Sequence, residues 1–131
     1  MKKYIFLIYA LFFICFFNAQ NSQILKADNL IKEGLSLFKN EDYNKALKKF
    51  RKAIKYANDS SRNIAIINSA IAAEESKNYD VAFKYYRMCS NNNYVNDTQM
   101  YHSMIRVLNA KNGVTNYKVL KVIHKGKKKY P

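Results

Sequence analysis

From Gln23 to Tyr130, apolar residues recur at three- and four-residue intervals in six stretches separated by short polar clusters. The clusters are Asn40-Glu41-Asp42, Asn58 to Ser61, Lys77-Asn78, Asn91 to Asp97 and Lys111-Asn112-Gly113. That interval is the period of an amphipathic helix, and no proline interrupts it. The spacing predicts helices over residues 23–39, 42–57, 61–76, 79–90, 97–111 and 115–129. Asp59, Ser60 and Asp97 are placed to cap helix starts, because their side-chain oxygens can accept from amides that lack an intrahelical partner. The same role accounts for Asn58-Asp59-Ser60 and Asn96-Asp97-Thr98, which have the form of N-glycosylation acceptors but fall where helices begin.

The first residues follow a different pattern. Lys2 and Lys3 precede an unbroken apolar run from Ile5 to Phe17, and Asn18, Ala19 and Gln20 follow it. This order of charge, apolar core and small residue reads as a signal peptide over residues 1–19. The run is 13 residues long, about 20 Å as a helix and short of a ~30 Å hydrocarbon core. Cleavage near Ala19 is therefore expected, with export to the periplasm or the secreted space. Phe17 is bulky where the peptidase favours a small side chain, so an uncleaved membrane anchor is the alternative. Lipid attachment at Cys15 is disfavoured by Ile14 before it. After cleavage Cys89 would be the one remaining thiol, which excludes an intramolecular disulfide and leaves stability to packing.

Within residues 23–131 the helices repeat in pairs. Asp42-Tyr43-Asn44-Lys45-Ala46 with Phe50 and Ala53 recurs 36 residues later as Asn78-Tyr79-Asp80-Val81-Ala82 with Tyr86 and Cys89. A period of this size, two helices per unit, signals an α-solenoid. Small residues recur on both helices of these units, Gly34 and Ala46 in the first pair and Ala70 and Ala82 in the second. On these residues the chain resembles the tetratricopeptide repeat family. The resemblance implies an all-α stack of about three antiparallel helix pairs, with repeats at about 27–60, 61–96 and 97–131. The third pair is a looser match: Val119 occupies the place of the expected alanine, and Tyr101, Ile105, Leu108, Ile123 and Gly126 supply its remaining pattern.

In the family's arrangement, one stripe of each first helix packs on the preceding pair. That stripe reads Ala65, Ser69 and Ala72 in pair two, Met100, Met104 and Val107 in pair three, and Asn29, Glu33 and Ser36 in pair one. Small and apolar stripes suit burial, and the polar stripe suits water, so pair one is expected to start the stack. At the other end Tyr117, Leu120 and Val122 add apolar surface with no polar capping helix after them. Self-association through that edge, a covering partner, or a fragment of a larger repeat protein would each explain it.

Composition narrows the function classes. The 131 residues include three Gly and one Pro, which leaves little room for a turn-rich β fold. No glycine-rich phosphate loop, nucleophile elbow or Cys-x-x-Cys is present, so neither an enzyme nor a bound cofactor or metal is expected. His102 and His124 fall on different predicted helices without partners at ligand spacing. Glu74 and Glu75 are adjacent on one helix and point apart, which argues against paired acid and base work. Cys89 stands at a small inward position and is expected in the core. The formal net charge is +14, and residues 99–131 hold eight Lys and Arg with no Asp or Glu. Lys121, Lys125, Lys127, Lys128 and Lys129 form a candidate basic patch for anionic lipid or glycan, or a merely solvated face. Nucleic acid is disfavoured, because the aromatic and basic pattern of its binders is missing.

The resemblance also implies a ligand groove along the concave face, lined by Asp28, Ile31, Leu35 and Phe38, then Ile64, Ile67, Ile71 and Glu74, then Gln99, His102, Arg106 and Asn109. One variety of the family grips an acidic C-terminus with Lys and Asn. Here Ile31 and Leu35 stand in those places, which argues against that activity. The residues instead favour a protein or peptide partner, such as an amphipathic helix, lying on Ile31, Leu35, Phe38, Ile64, Ile67 and Ile71, with His102 and Arg106 meeting a polar or acidic end. The opposing reading has these side chains packing on one another, or lying beneath residues 20–26, with no ligand at all.

Overall fold

In the computed structural model the backbone is described for residues 2–91, 97–112 and 117–129; side chains are described there except at 2–17, 19, 91, 97, 112, 117, 118, 120, 127 and 129. Among the described residues the regular secondary structure is all helix: α1 (Lys2–Lys39), α2 (Tyr43–Ile54), α3 (Asp59–Glu75), α4 (Tyr79–Asn91), α5 (Asp97–Asn112) and α6 (Tyr117–Lys129). Each helix packs on the next in chain order, and α1 also touches α3. The result is an α-solenoid of three antiparallel pairs.

The first helix differs from the expected residues 23–39, because it begins at Lys2 and runs through the N-terminal apolar run without a break. No Gly or Pro occurs before Gly34, so the backbone meets no helix-stop signal between the apolar run and the repeat. Among the described residues, no helix is long and apolar enough to cross a membrane.

The turns inside pairs one and two are superimposable in their hydrogen bonding. At the end of α1, Glu41 N–H donates to the Phe38 carbonyl (3.0 Å) and Asp42 N–H to the Leu37 carbonyl (2.9 Å). At the end of α3, Lys77 N–H donates to Glu74 (2.9 Å) and Asn78 N–H to Ala73 (2.8 Å). Both are Schellman endings, which require a left-handed residue just past the helix. Glu41 (φ 61°) and Lys77 (φ 59°) fill that position although neither is glycine. The start of α3 departs from expectation in a small way: Asn58, in extended backbone, caps it by accepting from Ser61 N–H at 3.0 Å. The helix starts at Asp59, which places Asp59 and Ser60 in its first turn and not at the cap. The Asp97 side chain lies outside the described residues.

The crossing positions are closed. Ala46, Ala70 and Ala82 have no exposure, and a Cβ on Gly34 would stand 2.5 Å from the Phe50 ring. Phe50 is itself wholly enclosed. Its burial alone stabilises by about 1.5–3 kcal/mol relative to an exposed ring. Val119, in place of the expected alanine, is also fully buried. Gly126 leaves ordinary contact room beside Tyr101, with a built Cβ 3.4 Å from the ring. Between pairs, Ala65, Ser69 and Ala72 are fully buried and Met100, Met104 and Val107 nearly so. The corresponding Asn29, Glu33 and Ser36 of pair one are exposed. One core cluster thereby runs from Ala46 and Phe50 through Ala82 and Tyr86 to Met104 and Val107. At the far edge Val122 is half-buried, and the side chains of Tyr117 and Leu120 lie outside the described residues.

Polar ties reinforce this stacking. Ser61 Oγ donates to Asp28 Oδ1 at 2.7 Å, joining pair one to pair two. Ser69 satisfies its buried hydroxyl within α3 by donating to the Ala65 carbonyl at 2.7 Å. Cys89 is a buried free thiol, and burial pushes its pKa up to about 11. It is therefore a packing residue and a poor nucleophile.

Candidate functional site

The face expected to be concave carries residues of the first helix of each pair, α1, α3 and α5. On α3 these are Ile64, Ile67, Ile71 and Glu74, spaced by three and four so that they share one face. Between α3 and α5 the surface opens into a groove of about 610 Å³, lined by Ile67, Ile71, Glu74, Tyr86, Gln99, His102 and Arg106 among others.

The apolar half of the groove divides into surface and support. Ile64 is 48% exposed and Leu35 is 40% exposed, large values for side chains of this size on a folded domain. Ile67 and Ile71 are half-buried and continue the strip. Ile31 does not: only 7% exposed, it packs with Leu30, Ala53 and Ala65 in a second core cluster. Ile31 of α1 shares that cluster with Ala65 of α3, the two helices being in contact. Phe38 is half-buried and rests its ring edge-on against Tyr43, with centroids 5.0 Å apart. Leu35, Ile64, Ile67 and Ile71 are therefore the apolar residues that a ligand could reach.

The polar half is more constrained than the sequence suggested. Glu74 receives a two-pronged bond from Arg106, Nε to Oε1 at 2.5 Å and Nη2 to Oε2 at 2.8 Å. Tyr86 Oη donates to the same carboxylate at 2.7 Å. The Arg106 hydrogen bonds, aided by that of Tyr86, hold the Glu74 carboxyl below the usual carboxylate range. Burial, then the neighbouring carboxylate, raises Tyr86, so it stays protonated and serves as a donor. Arg106 is raised in turn by Glu74. Its guanidinium is paired with Glu74, so the expected polar or acidic ligand end would meet an arginine that the protein already holds in place. The outer edge of the guanidinium remains accessible, with the side chain 60% exposed, and exposed His102 stands beside it in the lining.

Glu74 was legible as a groove residue, but its partners were not. Tyr86 lies 12 residues away and Arg106 lies 32 away. No local spacing pairs them, and only the stacking of pair three on pair two does. Among the C-terminal cations, Lys121, Lys125 and Lys128 are exposed on α6, while the side chains of Lys127 and Lys129 lie outside the described residues. No group of His, Cys, Asp or Glu among the described residues could hold a metal ion.

Comparison with known proteins bears on the repeat itself. Residues 27–60, which comprise the end of α1 and all of α2, match the family model of the tetratricopeptide repeat. No curated protein and no solved structure matches the chain.

Proposed function

We propose that this tetratricopeptide-repeat protein is an exported, non-catalytic scaffold that holds an apolar peptide or amphipathic helix in its concave groove. Repeats of this family commonly mediate protein–protein interactions, and the family is generally non-catalytic. The single observation that carries the reading is the set of partly open apolar side chains Leu35, Ile64, Ile67 and Ile71, of which Ile67 and Ile71 line a groove where Glu74 and Arg106 are already paired with each other. An apolar ligand covering that strip gains roughly 25 cal/mol per Å² of apolar surface removed from water. The Glu74, Arg106 and Tyr86 cluster asks no ligand for a countercharge, so binding is driven by shape and apolar contact, with His102 and the outer guanidinium edge supplying direction. Export follows from the reading of residues 1–19 as a signal peptide.

A photo-crosslinking residue at Ile64 or Ile71 tests this in the native host. The expected result is a discrete adduct mapping to a segment with apolar residues at helical spacing, lost when Leu35→Glu or Ile67→Glu is added while far-UV helicity is kept. An adduct undiminished by either substitution would reject the groove.

A further inference from the structure

A second groove, formed by α2 and α4 on the second-helix side of the stack, shares no residue with the concave one. It is lined by Lys48, Arg51, Lys52, Ile54, Lys55, Lys84, Tyr85 and Met88 and encloses about 460 Å³. Five of these residues are cationic and exposed, and no carboxylate is among them. Three nearby acids are engaged with other cations: Glu33 with Lys49, Asp42 with Lys45, and Asp80, one turn before Lys84, with Lys111. The C-terminal dipole of α2 favours Arg51 and Lys52 in its last turn. It does not account for Lys84, which lies in the second turn of α4, toward the positive end of that helix. The cation repeats across the two units, since Lys84 follows Lys48 at the 36-residue offset. Like charges converging on one concavity repel each other, so the arrangement is held against an electrostatic cost that a bound anion would relieve.

The shape of the array narrows the anion. Lys48, Arg51, Lys52 and Lys55 are spaced by three, one and three residues, a stripe about 10 Å long at ~1.5 Å per residue. Lys84 of α4 lines the same groove, and Ile54, Tyr85 and Met88 supply its apolar lining. A straight row of cations beside an apolar lining matches a helix that carries acids on one face and an apolar side chain next to them. A flat anionic membrane would meet the cations and leave the apolar lining uncovered. We propose that the α2–α4 groove is a second docking site, one that takes an acidic amphipathic segment of a partner protein.

The test uses the full chain in neutral detergent and a fluorescent helical peptide with Glu at i, i+3, i+4 and i+7 and Leu beside them. Two variants remove equal charge: Arg51→Gln/Lys52→Gln/Lys84→Gln in the groove, and Lys121→Gln/Lys125→Gln/Lys128→Gln on α6. All six side chains are exposed, and far-UV circular dichroism confirms that each variant folds. The groove variant is expected to lose about tenfold in affinity and the α6 variant less than about twofold, with wild-type binding weakening as salt rises. A peptide of the same composition with shuffled acids is expected to bind several-fold more weakly. Equal loss in the two variants would reduce the effect to diffuse net charge and overturn the proposal, as would equal binding of the shuffled peptide. Capture by phosphatidylglycerol nanodiscs, after removal of the detergent, without capture of the peptide would also overturn it, in favour of a membrane-facing surface.

Discussion

Replacing Gly34 by alanine probes the closest helix crossing in the molecule. A Cβ built there lies 2.5, 2.7 and 2.9 Å from Cε1, Cδ1 and Cζ of Phe50. Carbon atoms rest at about 3.5–4.0 Å, so the ring or the helix must move by roughly 1 Å. The ring has no exposure, and it sits in the cluster that joins α2 to the next pair, so movement means repacking. Overpacking of this kind costs about 1–3 kcal/mol. Alanine's better helix propensity returns about 0.8–1.0 kcal/mol. With a contact this short at an enclosed ring, the expected net loss is about 1–2 kcal/mol, which for a domain near 100 residues lowers Tm by roughly 5–10 °C. Urea unfolding followed by circular dichroism measures it. Phe50→Leu makes room, so a double-mutant cycle should return a coupling of about 1 kcal/mol or more. Gly126→Ala is the matched control: its Cβ would sit at ordinary contact distance, 3.4 Å from Tyr101, so the propensity gain dominates and stability should rise by about 0.5–1 kcal/mol. If Gly34→Ala also stabilised, the crossing geometry would be refuted.

Three further outcomes are expected. Glu41→Gly and Lys77→Gly should each raise stability by about 0.5–1 kcal/mol, because both positions have positive φ and relief of left-handed strain exceeds the extra freedom of the unfolded chain; unchanged denaturation midpoints would contradict the Schellman geometry. The Glu74 cluster should make stability fall with acid. Its folded pKa is depressed, so its contribution is complete above the unfolded value, near 4.5, and is lost as pH falls through the lower folded value. Arg106 is largely exposed, which keeps the contribution small, and the acid-limb difference between wild type and Glu74→Gln measures it. Finally, Cys89, buried and with its thiol pushed up to about 11, should react with iodoacetamide at pH 8 about 100-fold more slowly folded than in urea; comparable rates would place it at the surface.

The helices, their pairing and their crossing points were fixed by local properties of the chain. Apolar spacing marks a helix whatever lies around it, and small residues at Gly34, Ala46, Ala70 and Ala82 mark close approach because nothing larger fits. The buried stripe of Ala65, Ser69, Ala72, Met100, Met104 and Val107 was legible for the same reason. Glu41 and Lys77 were not, since neither residue type advertises a left-handed turn; only their 36-residue separation in sequence hinted that the two would behave alike. Tertiary structure alone decided which groove residues remain available. It buried Ile31 against Ala65, it set Arg106 and Tyr86 around Glu74, and it gathered the cations of α2 and α4 around one concavity. Each of those outcomes depends on distance between residues far apart in the chain, and such distances are set by how one helix pair settles on the next.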